Sequence, residues 1–413
     1  MLRAGHGLIL CVLALLVIGV VMVQSAGLSI SAERSIDLRE ILLGKQAALA
    51  ALALLTLAFA SFIPIHRLET MRGMASPALW IAAGSVALLL AVHLPGVGRE
   101  VNGAKRWISF GPVGFQPSEL AKWGMIIVLA LYASRHVETL HRFSAGFVPP
   151  MLLVGIICAL VGTEDLGTAV LIGAVSVGLL IAAGARVSHV AALIPFGAAA
   201  FIGAVVMSPY RVNRLKAFLD PFQDPQGIGY HIIQSMSAIN GGGMAGRGLG
   251  NSIQKFGYLP EDTTDFIFAI VCEELGVVGA AVIVFLYAAL LLCGLSIVRQ
   301  TSSPFQRLLG LGVILTIGLQ SLINIAVVTG SAPTKGIALP LLSAGGTGWI
   351  ATAFCIGLLV SIDRTNARTL AARRLDFAQH FDSPRNATMT EFFPRPRTRP
   401  EPDPHPCLPP SAA

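Results

Sequence analysis

The chain is short of charge. Of its 413 residues only 12% are charged, against 54% hydrophobic, and the mean hydropathy is +0.73. A soluble chain would carry about 25% charged residues, so a water-soluble globular enzyme is excluded. Cysteines are few and unpatterned. Cys11, Cys158, Cys272, Cys293 and Cys355 fall inside long apolar runs and Cys407 lies near the end. None has metal-ligand spacing, and no disulfide framework is implied. The chain also lacks a Walker loop, a zinc motif, a dinucleotide fingerprint and a nucleophile elbow, as well as any repeat of about 20–50 residues. The pI near 9.3 traces to the tail and the loops, and gives no reason to invoke nucleic acid.

What the chain has is apolar runs long enough to span a bilayer. Ten are read, at about 6–26, 45–65, 76–95, 119–134, 148–163, 167–185, 188–208, 265–296, 306–330 and 340–362. The first is too long for a cleavable signal, and others follow it. Backbone groups in lipid must be satisfied internally. The expected fold is therefore all-α, a polytopic bundle of about ten transmembrane helices with a large outer loop before the eighth. This membrane domain covers 1–363.

Residues 364–413 carry eight arginines, from Arg364 to Arg399, and end in a proline-rich run. Such a segment cannot bury a core and is expected to be disordered. Its arginines place it in the cytoplasm, and ten spans then put the N-terminus there too. All six lysines, Lys45, Lys105, Lys122, Lys216, Lys255 and Lys335, with Arg99, Arg106, Arg211, Arg214 and Arg247, then fall on the outer side, against the usual bias. Either the orientation is inverted or these cations bind an anion; their clustering around polar motifs favours the anion.

Four stretches could carry chemistry. KFGYLPEDTTDFIFAIVCEELG, Lys255 to Gly276, sets Glu261, Asp262, Asp265, Glu273 and Glu274 in or beside an apolar run, where acids are costly to desolvate and usually have a task. The plainer reading is a set of capping and interfacial acids. Asp265 opens a span: helix-terminal amides favour its charged form and desolvation disfavours it, a balance the sequence leaves open. In GAKRWISFGPVGFQPSELAK, Gly103 to Lys122, the adjacent Lys105 and Arg106 precede Trp107. Ser118 is placed to cap the next helix, behind Pro117, and Glu119 and Lys122 share a helix face. Sugar stacking on Trp107 and diphosphate contact by the cations is one reading; a capped interfacial loop is the other. GTEDLGTA, Gly162 to Ala169, sets Glu164 and Asp165 at a break between two spans, equally a polar turn. In NIAVVTGSAPTKGIALPLLSAGGTG, Asn324 to Gly348, breaks flank Lys335, as in helices that line a cavity. Within the largest loop, about 209–264, Tyr230 to Ile239 reads as a short interfacial helix.

In this order these stretches resemble the SEDS family of cell-wall polymerases. QPSELAK (Gln116 to Lys122), DLGTA (Asp165 to Ala169), GLGNSIQKFGYLPE (Gly248 to Glu261), TDFIFA (Thr264 to Ala269), EELG (Glu273 to Gly276) and PTKG (Pro333 to Gly336) all look like family motifs. GLGNS…QK and PTKG are closer to the division branch, FtsW, than to RodA. The resemblance implies a peptidoglycan glycosyltransferase that polymerises lipid II at the outer face of the bacterial cytoplasmic membrane, by inversion in one displacement. Asp265 matches the family's essential acid and Trp107 its loop tryptophan. Substrate contacts are expected from Lys105, Arg106, Trp107, Gln116, Ser118, Glu119, Lys122, Arg211, Lys255, Glu261, Thr264, Lys335 and Ser343. A divalent cation, Mg or Mn, is a candidate cofactor, and no organic cofactor is expected. The implied partners are a class B penicillin-binding protein and other division proteins. Three motifs depart from the family pattern: Glu164 stands for a proline, Thr263 for a histidine, and SAGGT (Ser343 to Thr347) for SYGGS. A flippase for the same lipid, or a non-catalytic scaffold, is the rival reading; midplane acids mark a transporter and surface acids a polymerase.

Overall fold

The computed structural model describes residues 3–27, 42–101, 104–110, 113–344 and 346–381. Among these, a helix stands at each of the ten expected spans. They are α1 (Ala4–Ala26), α2 (Lys45–Ser61), α4 (Pro77–Ala91), α5 (Pro117–Arg135), α6 (Val148–Glu164), α7 (Leu166–Ala182), α8 (Val187–Val206), α11 (Ile267–Arg299), α12 (Pro304–Val328) and α13 (Thr347–Phe381). Between them lie the short α3 (Ile65–Thr70), α9 (Pro209–Leu219) and α10 (Tyr230–Gly242). Six segments are long and apolar enough to cross a membrane, three shorter helices are apolar, and α5 is made less so by Glu119 and Lys122.

The helix starts follow capping chemistry. Asp165 ends α6 and caps α7, accepting from the Thr168 N–H at 3.0 Å and the Thr168 hydroxyl at 2.8 Å. Ser303 caps α12 in the same way, as short polar side chains do at a helix N-terminus. Ser118 does not cap α5. Pro117 is already the first helical residue, with Gln116 before it, so Ser118 sits inside the first turn and is buried.

The bundle is built by pairing. α1 packs along α11, α4 against α5, α6 against α7, and α12 against α5, α7 and α11. α8 contributes no buried residue. A feature absent from the sequence reading is a three-stranded antiparallel sheet, β1 (Gly98–Val101), β2 (Ala104–Phe110) and β3 (Val113–Phe115). Its register pairs Arg99 with Trp107 and Ile108 with Phe115.

α11 is broken inside. Gly276 has φ +66°, and a Cβ there would lie 2.4 Å from the Gly246 nitrogen. The freed backbone groups are repaired from the preceding loop. Val277 N–H donates to Gly243 O at 3.0 Å, while Arg247 and Gly248 N–H donate to Glu273 O and Glu274 O at 3.0 and 2.9 Å. A broken helix is tolerated in a bundle when protein re-satisfies it in this way.

Two compact units divide the chain, Met1–Asn366 and Ala367–Ala413. α13 runs past the expected boundary at Asp363 to Phe381, so the first part of the arginine-rich segment is helical rather than disordered. The remaining tail, 382–413, lies outside the described residues.

Candidate active site

Asp265 sits in the turn before α11, its backbone carbonyl held by Asn324 Nδ2 at 2.8 Å. Gly336 faces its carboxylate: a Cβ there would lie 3.0 Å from Oδ2 and 3.9 Å from an Arg106 guanidinium nitrogen. Only glycine lets the PTKG backbone approach so closely. Burial raises the carboxyl pKa to about 7; Glu261 and Asp165 add to the rise, and Arg214 and Arg106 oppose it. This answers the question the sequence left open: desolvation wins over helix-terminal amides. Asp262, three residues earlier in the same loop, is also raised, to about 6, first by burial.

Asp265 lines a cavity of about 260 Å³ with Arg106, Trp107, Gln116, Glu119, Lys122, Asp165, Glu261, Thr264, Gln320 and Ser343. Lys122 Nζ bridges both Glu119 carboxylate oxygens at 2.8 Å and donates to Gln320 Oε1 at 2.8 Å. Gln320 in turn donates to Ala338 O at 2.7 Å. This closed polar chain on α5 and α12 fixes the loop below Gly336. Ser343 Oγ accepts from Leu339 N–H at 2.7 Å, a tie within the same loop. Thr264 donates to Glu261 at 2.7 Å, and Glu261 holds a left-handed backbone, φ +57°.

A second cavity, about 770 Å³, adjoins the first. Phe201, Ile202, Val205 and Val206 of α8 form an apolar wall, and Arg106, Arg211, Arg214 and Lys335 supply cations. Burial pushes the Lys335 ammonium below its ordinary pKa while Asp165 acts the other way. Its Nζ lies 5.8 Å from the Phe201 ring centroid.

The other expected contacts stand elsewhere. Lys105 and Ser118 line a crevice of about 20 Å³ behind the sheet. There the Lys105 N–H donates to Glu164 Oε2 at 2.9 Å, which ties β2 to the end of α6. Arg211 lines the second cavity but spends its guanidinium on three carbonyls, Gly162 and Thr163 at 2.8 Å and Ala204 at 3.0 Å. It closes the ends of α6 and α8. Lys255 lines neither cavity. It is buried, 3.2 Å from Glu274 Oε1, and bonded to Ser25 O and Gly250 O. The loop folds back onto α11 and takes Lys255 with it, away from the two cavities where a substrate contact is expected.

Asp165, Tyr210, Arg214 and Gln320, none of them an expected contact, also line the first cavity. A polar residue inside an apolar span was the available signal for Gln320. Among the described residues no cluster of three or more His, Cys, Asp or Glu side chains could hold a metal ion. No step below is routed through a metal ion.

Residues 6–368 match the family model described as cell cycle protein, which groups FtsW, RodA and SpoVE. The chain belongs to that family. It is 38% identical over 356 residues to a probable peptidoglycan glycosyltransferase FtsW of Geobacter metallireducens, covering 86% of this chain and 93% of that one. It is 41% identical over 366 residues to the protein of the same name in Thioalkalivibrio sulfidiphilus, covering 88% and 90%. Stage V sporulation protein E of Bacillus subtilis is 40% identical over 278 residues, 67% of this chain and 76% of that one. A solved chain from a peptidoglycan synthase complex superposes with a TM-score of 0.68 at 28% identity, covering 87% of this chain and 97% of that one. Thermus thermophilus RodA gives 0.60 at 25%, covering 87% and 96%. As a member of this family with six candidate spans, the chain is a membrane protein.

Proposed function

We propose that this protein is a peptidoglycan glycosyltransferase that polymerises lipid II at the outer face of the bacterial cytoplasmic membrane, with both termini in the cytoplasm, and that it serves cell division. The observation that carries the reading is Asp265: a carboxyl held near neutral pKa, in a polar cavity that adjoins an apolar, cation-bearing one. A general base works best when its pKa lies near the operating pH.

In this reading the larger cavity takes the lipid-linked donor, with the isoprenoid along α8 and the diphosphate at Arg106 and Lys335. The polar cavity takes the acceptor sugar against Trp107. Asp265 accepts the proton of the acceptor's 4-hydroxyl as its oxygen attacks the donor's anomeric carbon from the face opposite the diphosphate. The departing oxygens gather negative charge, which fixed guanidinium groups stabilise in a site shielded from water. Configuration inverts in one displacement, and no covalent nucleophile is needed. A class B penicillin-binding protein and other division proteins are the proposed partners.

A transporter needs ionisable groups deep in the bundle, and Glu273, inside α11, is the candidate. Ser252 and the Ile253 and Gln254 amides bind that carboxylate, so it does not line a path. Purified protein given lipid II should make glycan strands, and Asp265→Asn should make about a hundredfold fewer, or fewer still. If Asp265→Asn retains most of the wild-type synthesis, the base assignment fails; if the wild type makes no strands, the polymerase reading fails.

A further inference from the structure

The two cavities share Arg106, Asp165, Tyr210, Arg214 and Gly336. Tyr210 and Arg214 are the two members that lie in none of the motifs. α9 places Tyr210 and Arg214 one turn apart on one face. The Arg214 guanidinium stacks on the Tyr210 ring, 4.4 Å from its centroid, and donates to the Tyr210 hydroxyl and, at 3.1 Å, to Thr334 O of PTKG. The stack and the two bonds hold the guanidinium plane in one orientation at the seam. Two bonds leave donors of the five on a guanidinium, and among the described residues Arg214 forms no ion pair. Arg106 at the same seam forms none either, and its buried Nε has no hydrogen-bond partner. The carboxylates that line the cavities with them are Asp265, whose pKa burial raises to about 7, Asp165, engaged in capping α7, Glu261, which accepts from Thr264, Glu119, paired with Lys122, and Glu164, which accepts from the Lys105 N–H. Two guanidinium groups thus meet at the seam, and apart from Asp265 each carboxylate that shares the cavities with them has a protein donor of its own.

Planar, pre-oriented guanidinium is the donor set that matches phosphate oxygens. Resting on the function proposed above, we propose that Arg214 is a further catalytic residue, which grips the bridging diphosphate of the lipid-linked donor at the seam between the cavities. The new bond forms between the acceptor's 4-oxygen and the anomeric carbon. The bond from that carbon to the diphosphate oxygen breaks, its electron pair stays on the diphosphate beside Arg214, and the hydroxyl proton goes to Asp265. Arg214 also ties the anion to Thr334, so arrival of the diphosphate and placement of the PTKG loop against Asp265 are coupled.

The test uses the full chain in detergent and inorganic pyrophosphate as the probe, read by calorimetric titration without turnover. Wild type should bind pyrophosphate, Arg214→Gln at least tenfold more weakly, and Arg214→Lys in between. Arg214→Gln should also lower kcat for glycan synthesis about 100-fold, the scale of losing one donor to a developing anion. Unchanged pyrophosphate affinity in Arg214→Gln overturns the proposal, even if activity falls, since Arg214 would then only pin Thr334. A wild type that ignores pyrophosphate overturns it as well. Should Arg214→Gln fail to fold, Arg214→Lys carries the test, and wild-type affinity there has the same force. Whether wild type makes glycan at all is a separate result, which decides the polymerase reading and not this one.

Discussion

Lys255 and Arg214 are both cations carried into the bundle by the segment between α8 and α11, and their surroundings are opposite. Lys255 is fully buried against Glu274, and Ser25, Ser252 and Gly250 complete the shell around the pair. Glu273 beside it is bonded by Ser252, Ile253 and Gln254 and lies 3.7 Å from Arg247. Here every charge has an answer, and the network locks the loop to the kink at Gly276. At the seam, Arg106, Arg214 and Asp265 are near one another without such closure. Buried charges that are fully paired report architecture, because leaving either partner alone is costly. Charges held close but left incomplete report a place for a ligand.

The sharpest break of this contrast is Asp265→Asn. It should cut glycan synthesis by about 10²–10⁴-fold, the usual weight of a general base, and leave the melting temperature of the purified protein unlowered. The sign follows from the raised pKa of about 7. The folded chain holds this proton more tightly than the unfolded chain, so its contribution to stability is present at low pH, falls as pH rises from about 4, and is lost above about 7. Activity should run the other way and rise through a midpoint near 7 as the base form appears. A pH–rate profile and a thermal melt at pH 5 and 8 check both; a rate that falls over this interval would remove Asp265 from the role of base.

The opposite pattern is expected at the lock. Lys255→Met leaves Glu274 charged and alone, at about 3–5 kcal/mol, and should lower the melting temperature and yield of membrane-extracted protein. Adding Glu274→Gln should recover much of that loss. A Lys255→Met protein as stable as the parent would show that the pair is not structural.

A smaller effect is expected from Glu164→Pro, which restores the residue usual in the family at this position. It removes the carboxylate that accepts from the Lys105 N–H and so loosens β2, the strand that carries Arg106 and Trp107. KM for lipid II should rise a few-fold with kcat little changed, and amide exchange at Lys105 should quicken. Unchanged exchange would separate Glu164 from the sheet. The smallest effect is expected from ending the chain at Phe381. That deletion removes arginines that contribute about 1 kcal/mol each near anionic lipid and should leave synthesis in liposomes intact; complete loss with a well-folded membrane domain would bring the tail to the site.

The ten helices were legible because a bilayer imposes length and apolarity on each segment alone, which is why 45–61 and 166–182 could be found from composition without knowing their neighbours. The sequence also marked Asp265, since a carboxylate entering an apolar run is conspicuous whatever surrounds it. It could not decide the carboxyl's pKa, which depends on burial and on Asp165, Arg214 and Arg106 arriving from three other places in the chain. Nor could it sort the cations. Lys255, Arg211, Lys335 and Arg214 all read alike as basic residues near polar motifs. Only the folded chain places Lys255 on Glu274, Arg211 on three helix-end carbonyls, and Arg214 at the seam. Hydrophobic length is a property of one segment, whereas the pairing of a charge is a property of two, and tertiary structure alone brings the second into reach.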